Sequence, residues 1–194
     1  MTKSRIEAFS DGVIAILITI MVLEFKVPEG ADLRAIAPLF PVFLTYVLSY
    51  VFIGIYWNNH HHLLQAADRI NGTILWANLH LLFWLSLIPF VTGWMGHNHA
   101  AALPTATYGV VMLFCGFAYW ILQAAIVSEH GPHSRLATAL GSDGKAKLSL
   151  SLYAASIPLA FVNAWISALI FVIVALMWLV PDRRIESQFR AERH

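Results

Sequence analysis

Charge and cysteine are both scarce in this chain. Of its 194 residues, 12% are charged and 59% are hydrophobic, whereas a soluble domain carries about 25% charged residues. A chain with so little charge cannot cover its apolar surface in water, so we expect it to use lipid as its solvent. The single cysteine, Cys115, excludes an internal disulfide and any zinc site built on several cysteines. The net charge of +1 provides no basic field for nucleic acid.

Long apolar segments take the place of the missing charge, and six of them approach the ~20 residues that cross a bilayer. The last two are nearly continuous, and a single helix through both would be about 50 Å long, against a hydrocarbon core of about 30 Å. We therefore predict a tight hairpin near Val162 and Asn163, after Pro158. The sequence predicts one all-α membrane unit over residues 1–194. Its six predicted spans are residues 6–25, 39–57, 72–94, 105–127, 148–161 and 164–180.

Positive charge is divided unevenly between the connections of these spans. Ten lysines and arginines fall on one side, and only Lys26 and Arg34 fall on the other. Cytoplasmic loops carry such an excess, so both termini are expected on the cytoplasmic side, which requires an even number of spans. The ten residues are Lys3, Arg5, Arg69, Arg135, Lys145, Lys147, Arg183, Arg184, Arg190 and Arg193.

The first span has two features that a plain anchor lacks. Asp11 lies inside it, and an intramembrane carboxylate costs about 2.5–3.5 kcal/mol at a helix centre, less near an end. We therefore expect Asp11 to face protein or water with a partner. Helical spacing places Ile16, Ile20 and Leu23 on one stripe, with Thr19 at its edge. From the residues alone, we expect the stripe to face lipid or to pack in a core, and we expect Asp11 to hold its helix to a neighbouring one.

The order of residues in this span is more specific than its composition. Arg5, Phe9, Ser10, Asp11, Gly12, Ala15, Ile16, Thr19, Leu23 and Glu24 together resemble the signature of the lysosomal potassium channel family, the transmembrane protein 175 family. The pattern Tyr56-Trp57-x-x-His60-His61 and the pairs Asn78-Leu79 and Pro89-Phe90 are similar to the second and third helices of that family.

The resemblance implies a potassium-selective channel in the plasma membrane of a prokaryote, surrounded by the lipid bilayer and assembled as a homotetramer of six-helix units. The first helix would line the central pore and select potassium without a carbonyl-lined filter; the sequence has no Thr-Val-Gly-Tyr-Gly element. Carried onto this chain, the pore constriction falls on Ile16 and Leu23, with Thr19 or Ile20 between them. This replaces the lipid-facing interpretation of the stripe. Potassium is the expected permeant ion, proton passage stays open, and no cofactor is expected.

The first three predicted spans each contain a polar segment, and all three segments should lie at one depth, in the cytoplasmic third of the membrane. Polar groups buried in lipid need partners, so they are expected to form a network between the first three helices. The resemblance implies that such a network orients the pore helix and does not touch the ion. The predicted members are Arg5, Phe9, Ser10, Asp11, His60, His61, Asn78 and His80.

Two other classes of function stay open. A membrane metalloenzyme could use His60, His61 and His62, but consecutive residues point about 100° apart on a helix and cannot bind one ion together. We therefore expect no metal site and no enzymatic activity, although histidines can also sense pH. A small secondary transporter would be favoured by inverted repeats or broken helices, and the sequence shows neither. His97 and His99 are expected on the outer surface.

Overall fold

The computed structural model describes residues 2–99, 101–131 and 144–179, and these residues form helices and the turns between them. Single turns of 3₁₀ helix at Val22–Glu24 and Ala37–Leu39 follow the first and second α-helices. The predictions for Arg135, for Val180 and for residues 183–193 lie outside the described residues. The α-helices are α1 (Lys3–Met21), α2 (Leu33–Ile36), α3 (Phe40–Gln65), α4 (Gly72–Ser86), α5 (Ile88–His97), α6 (Ala102–His130), α7 (Gly144–Val162) and α8 (Ala164–Leu179).

Four helical segments of the described chain are long and apolar enough to cross a membrane, which makes this a multi-pass membrane protein. They are Lys3–Glu24, Leu33–Gln65, Gly72–His97 and Ala102–His130. The remaining two predicted spans correspond to α7 and α8. The 16 residues of α8 form a shorter apolar helix, about 24 Å long at 1.5 Å per residue.

The third predicted span is broken in the structure, so the expectation of unbroken helices is wrong there. It consists of α4 and α5, which meet at Leu87. Pro89 is the cause, because it has no N–H to donate to the carbonyl of Leu85, four residues earlier. The N–H of Leu87 binds the carbonyl of Trp84 at 3.2 Å, in a tighter turn. The helix resumes with Pro89 in the first turn of α5.

Other helix bounds differ from the predicted ones by several residues. The second span continues to Gln65 instead of ending at residue 57, because its polar side chains bond along the helix. Asn59 Nδ2 donates to the carbonyl of Ile55 at 2.9 Å, and Gln65 Nε2 donates to His61 Nε2 at 2.9 Å. The fourth span covers residues 102–130 and the fifth begins at 144. The last two helices meet at Asn163, whose side chain accepts the N–H of Trp165 at 2.9 Å and caps α8.

The centre of the bundle is α6, which packs against α4, α5, α7 and α8. Its side chains Tyr108, Met112 and Cys115 are fully buried. Because Gly109 has no side chain, α7 can approach α6 closely there; a Cβ on Gly109 would lie 2.8 Å from Ser156 Oγ. The first helix lies at the edge of this bundle, against α3, α4 and α5. Only one face of α1 is therefore covered by the protein.

Candidate pore helix and its polar network

The two faces of α1 are sharply different in exposure. The buried face follows the helical repeat of three and four residues, and its members are Ile6, Ser10, Ile14, Leu17 and Met21. On the opposite face, Ile16 is 56% exposed, Ile20 is 42% exposed and Leu23 is 79% exposed. Thr19 is exposed as well. The structure therefore places all four residues of the predicted constriction on the uncovered side of α1.

The exposed face of α1 also contains small and polar residues. Gly12 and Ala15 lie on it, and Arg5 lies at its N-terminal end. Thr19 Oγ1 donates its hydrogen to the carbonyl of Ile16 at 2.9 Å. Because the hydroxyl hydrogen is used inside the helix, the lone pairs of the oxygen are free to accept hydrogen bonds or to face a cation.

Ser10, Asn78 and His60 form a continuous chain of hydrogen bonds between α1, α4 and α3. His60 Nε2 donates to Asn78 Oδ1 at 2.6 Å, and Asn78 Nδ2 donates to Ser10 Oγ at 3.0 Å. The Ser10 hydroxyl then donates to the carbonyl of Ile6 at 2.8 Å. None of the three side chains is more than 1% exposed. Each buried group is satisfied by the next, so α1 is held at a defined rotation about its axis.

Asp11 joins α1 to α3 through a different partner from those predicted. Trp57 Nε1 donates to Asp11 Oδ1 at 3.0 Å. The ring of His61 stacks on Trp57, with centroids 6.1 Å apart, and His61 accepts from Gln65. His61 therefore supports the partner of Asp11. In the sequence, Trp57 lies at the end of a predicted span, where tryptophan is typical of the membrane interface. Only its place in the Tyr-Trp-x-x-His pattern indicates a second role.

The remaining members of the predicted network lie apart from the Ser10 chain. His80 accepts from Trp84 Nε1 at 3.0 Å on its own helix. Phe9 is 52% exposed, and Arg5 is exposed. Within the described part of the chain, no hydrogen bond or ion pair joins Arg5 to Asp11. The structure thus groups Ser10, His60 and Asn78 as one cluster, and Asp11 with its tryptophan as another.

A contact at the far end of α1 was not predicted. Glu24 Oε2 lies 3.7 Å from His97 Nε2 of α5, a residue expected to be a bland surface histidine. The carboxylate fits there because Gly93 has no side chain; a Cβ at that position would be 2.5 Å from Glu24 Oε2. The charged residue that follows Leu23 is therefore packed onto α5.

A third buried cluster was also missed by sequence reasoning. Thr92 Oγ1 lies 2.6 Å from Ser49 Oγ, and Ser49 Oγ lies 3.0 Å from the hydroxyl oxygen of Tyr108. All three are at most 2% exposed, and they join α5, α3 and α6. Isolated hydroxyls in apolar helices are the only sequence signal for this contact.

The histidines do not converge on a common point. His60 points to Asn78 and His61 contacts Gln65, as expected for consecutive helical residues. Across residues 2–99, 101–131 and 144–179, no group of three or more His, Cys, Asp or Glu could hold a metal ion.

Comparison with known proteins shows the family of this chain. Residues 5–89 match the family model described as "Endosomal/lysosomal potassium channel TMEM175". A potassium channel of Chryseobacterium sp. is 50% identical over 98% of this chain and 99% of its own length. A potassium channel of Streptomyces collinus is 30% identical over 84% of each chain. The crystal structure of a lysosomal potassium-selective channel TMEM175 homolog from Chamaesiphon minutus is also similar, with a TM-score of 0.80, 26% identity and coverage of 92% of this chain and 96% of that one. The chain therefore belongs to the TMEM175 family.

Proposed function

We propose that this protein is a potassium channel in which the exposed face of α1 lines the pore of a homotetramer. Two bacterial relatives and a similar solved structure are named as potassium channels. The observation that carries the proposal is the exposed face of α1. It contains Gly12, Ala15 and Thr19 beside Ile16 and Leu23, a mixture that lipid contact does not require.

The composition of the exposed face supports the homotetramer in this proposal. One helix cannot enclose an axis, so a single chain has no use for an uncovered stripe of this composition. Four copies of α1 suffice to surround a narrow axis, and closed cyclic symmetry is the usual arrangement of identical subunits. The remaining helices of each subunit then face lipid or a neighbouring copy.

The constriction would extend from Ile16 to Leu23, about 10 Å along the helix axis. Rings of apolar side chains narrow the pore and gate it by dewetting. Potassium is less strongly hydrated than sodium, so it gives up water at lower cost where few ligands are offered. The Thr19 oxygen, with its hydrogen committed to the helix backbone, supplies part of the lost coordination. Protons are a further permeant ion under this proposal.

The Ser10 chain would act on the pore without touching the ion. A rotation of α1 by one residue position turns each side chain by about 100°, which would move Ile16 away from the axis. Hydrogen bonds from Asn78 and His60 oppose such a rotation. Asp11 lies five residues before Ile16, or about 7 Å along the axis. It therefore belongs to the cytoplasmic vestibule, outside the constriction.

We infer six spans per subunit with both termini in the cytoplasm, in the plasma membrane of a bacterium. The distribution of lysine and arginine supports this orientation. The 19 residues of α7 measure about 28 Å at 1.5 Å per residue, enough to cross a hydrocarbon core with α8 returning. The hairpin at Asn163 gives the even number of spans that the charge distribution requires.

A secondary transporter is the second candidate, and the break at Leu87 is the feature that favours it. Transporters place their sites at interrupted helices. Here, however, a single residue, Leu87, separates α4 from α5, and its N–H still binds the carbonyl of Trp84 at 3.2 Å. A channel is the better supported function.

Reconstitution into liposomes tests the proposal directly. With potassium inside and sodium outside, a potassium-selective pore gives a reversal potential near that of potassium, and flux that does not saturate as a carrier would. A reversal potential near zero, or transport coupled to a counter-ion gradient, would contradict it. Native mass measurement in detergent should give a particle of four chains; a strictly monomeric or dimeric particle would remove the pore model.

A further inference from the structure

The C-terminal end of α6 holds the connection between α3 and α4. His130 Nε2 accepts the backbone N–H of Asp68 at 2.9 Å and that of Arg69 at 3.1 Å. The other ring nitrogen, Nδ1, lies 2.8 Å from the carbonyl of Ile126. The next residue, Gly131, has a φ of +84°, a conformation that glycine adopts readily and other residues rarely do. The helix ends there, with the imidazole of His130 over the connection between α3 and α4.

The residue before His130 reinforces this contact. Glu129 Oε2 accepts from Asn71 Nδ2 at 2.5 Å. Asn71 is also the N-cap of α4, because its Oδ1 accepts the N–H of Ile74 at 2.9 Å. The last two residues of α6 thus fix the connection and the first turn of α4 together. We call the four residues His130, Glu129, Asn71 and Asp68 the cytoplasmic latch.

The hydrogen bonds of His130 are compatible with only one protonation state. Nε2 accepts two N–H groups, so it must carry no hydrogen, and Nδ1 must carry the hydrogen that it donates to Ile126. A second proton would have to bind at Nε2, where it would face two backbone donors. Protonation therefore converts the acceptor of the latch into a third donor.

We propose that His130 makes the cytoplasmic latch a pH-sensitive control element of the channel. Histidine is the side chain that gains a proton between pH 7 and pH 5. Since the closed latch requires the neutral ring, it is intact at neutral pH and is lost as cytoplasmic pH falls. The geometry fixes the direction of the effect. The ring of His130 binds one more proton when its bonds to Asp68 and Arg69 are broken, so acid favours the broken latch.

Other charges around the latch do not reverse this sign. The carboxylates of Asp68 and Glu129 attract an imidazolium, but neither restores the lone pair that Nε2 needs in order to accept the two N–H groups. The ionisable groups on the elements packed here are Asp68 and Arg69 in the connection, His61 and His62 near the end of α3, Glu129 on α6, Lys3, Arg5 and Glu7 near the start of α1, and Lys145 and Lys147 on α7. Lys3 donates to the carbonyl of Gln65 at 2.8 Å.

The latch reaches the pore helix through α4. Asn78 lies seven residues after Asn71 on the same helix and donates to Ser10 of α1. Loss of the His130 bonds frees the connection that leads into α4, which loosens the seat of the helix that holds α1 at its rotation. This step rests on the proposed function, and acidification on the cytoplasmic side is then expected to lower the potassium current.

Hydrogen exchange separates the latch from conduction. In the assembled protein, the amides of Asp68 and Arg69 should lose protection between about pH 7.5 and about pH 5.5, after correction for intrinsic exchange, because a protonated ring cannot accept their hydrogens. Potassium current should fall over the same range of cytoplasmic pH.

Two variants and one control make the test specific. His130→Gln keeps a neutral acceptor at the position of Nε2, so both protection and current should lose their dependence on cytoplasmic pH. His130→Arg offers only donors, so protection should be low even at neutral pH. His99→Asn, an exposed outer-loop change, should retain the response of the parent chain.

The outcomes separate the latch from the channel. If protection of the two amides is independent of pH in the parent chain, or if His130→Gln keeps the full response, the proposal is wrong. If protection responds as expected but no potassium current is found in any variant, the latch stands and the proposed channel function fails. If protection responds while the current of a working channel ignores cytoplasmic pH, the latch is not a control element.

Discussion

The exposed faces of α1 and α8 are equally open to their surroundings but differ in composition. The exposed residues of α8 are all large and apolar: Trp165, Ile166, Leu169, Val172, Ile173, Leu176 and Leu179. On α1, Gly12, Ala15 and Thr19 interrupt the large side chains. A surface that meets only acyl chains gains nothing from a glycine or a hydroxyl. Exposure alone therefore does not distinguish a pore helix from a lipid-facing one, and the small and polar residues of α1 are the feature on which the proposed pore rests.

The covered faces of the two helices differ in the same direction. Ser167 of α8 donates to the carbonyl of Ser156 at 2.7 Å, a contact within its own hairpin. Ser10 of α1 accepts from Asn78, which in turn accepts from His60, so two other helices control its position. A helix that only anchors needs packing, while a helix that lines a pore must also be fixed in rotation.

The largest effect should come from filling the exposed face of α1. Ala15→Trp would place four indoles at the pore axis, and we expect potassium current to be abolished while the tetramer still forms. Leu169→Trp on α8 is the matched control, because one more large apolar side chain on a lipid face changes little. Liposome flux and native mass measure both. Full current in the Ala15 variant would place that face away from the pore.

Making the constriction polar should raise conduction. Ile16→Asn places amide groups where an apolar ring would otherwise dewet, so open conductance should rise severalfold in single-channel recordings. Ile173→Asn on α8 should leave conductance unchanged and reduce stability, since it exposes an amide to lipid. The proposed difference between the faces of α1 and α8 is wrong if the α8 variant alters conductance and the α1 variant does not.

Shortening the side chain of Leu23, at the outer end of the proposed constriction, should change ion preference more than conductance. Leu23→Ala widens the end of the constriction, so sodium can pass with more of its hydration water. The reversal potential under potassium–sodium gradients then moves toward zero. Leu176→Ala removes the same atoms from α8 and should leave the reversal potential unchanged. An unchanged preference in a folded Leu23 variant would exclude this residue from the selective region.

The smallest effect on selectivity is expected at Asp11. Asp11→Ala leaves the indole N–H of Trp57 without its acceptor; because Trp57 is 45% exposed, the loss is that of one ordinary hydrogen bond, about 1 kcal/mol. Assembly or gating should suffer, with potassium preference retained. Trp57→Phe removes the donor from the same hydrogen bond and should give a similar but milder change. A stable Asp11→Ala tetramer with normal gating and lost potassium preference would instead make Asp11 an ion-facing residue.

The parts of the structure that were predictable depend on local pattern. Periodicity placed Ile16, Ile20 and Leu23 on one stripe, and depth placed Ser10, His60 and Asn78 at one level. The contact between Asp11 and Trp57 could not be predicted, because it depends on the relative rotation of α1 and α3. The same holds for Glu24, which fits against Gly93 only because two helix ends meet there. The break before Pro89 was readable from proline chemistry but was missed.

Accessibility of a single cysteine tests the central claim, that the exposed face of α1 lines the pore. The only native cysteine, Cys115, is fully buried and can be replaced by alanine to give a silent background. Ile16→Cys in that background should be blocked by silver ions, which reach it through the potassium pathway, while Ile173→Cys should conduct unaffected. Block of the α8 variant, or an Ile16→Cys channel that conducts normally in silver, would contradict the account.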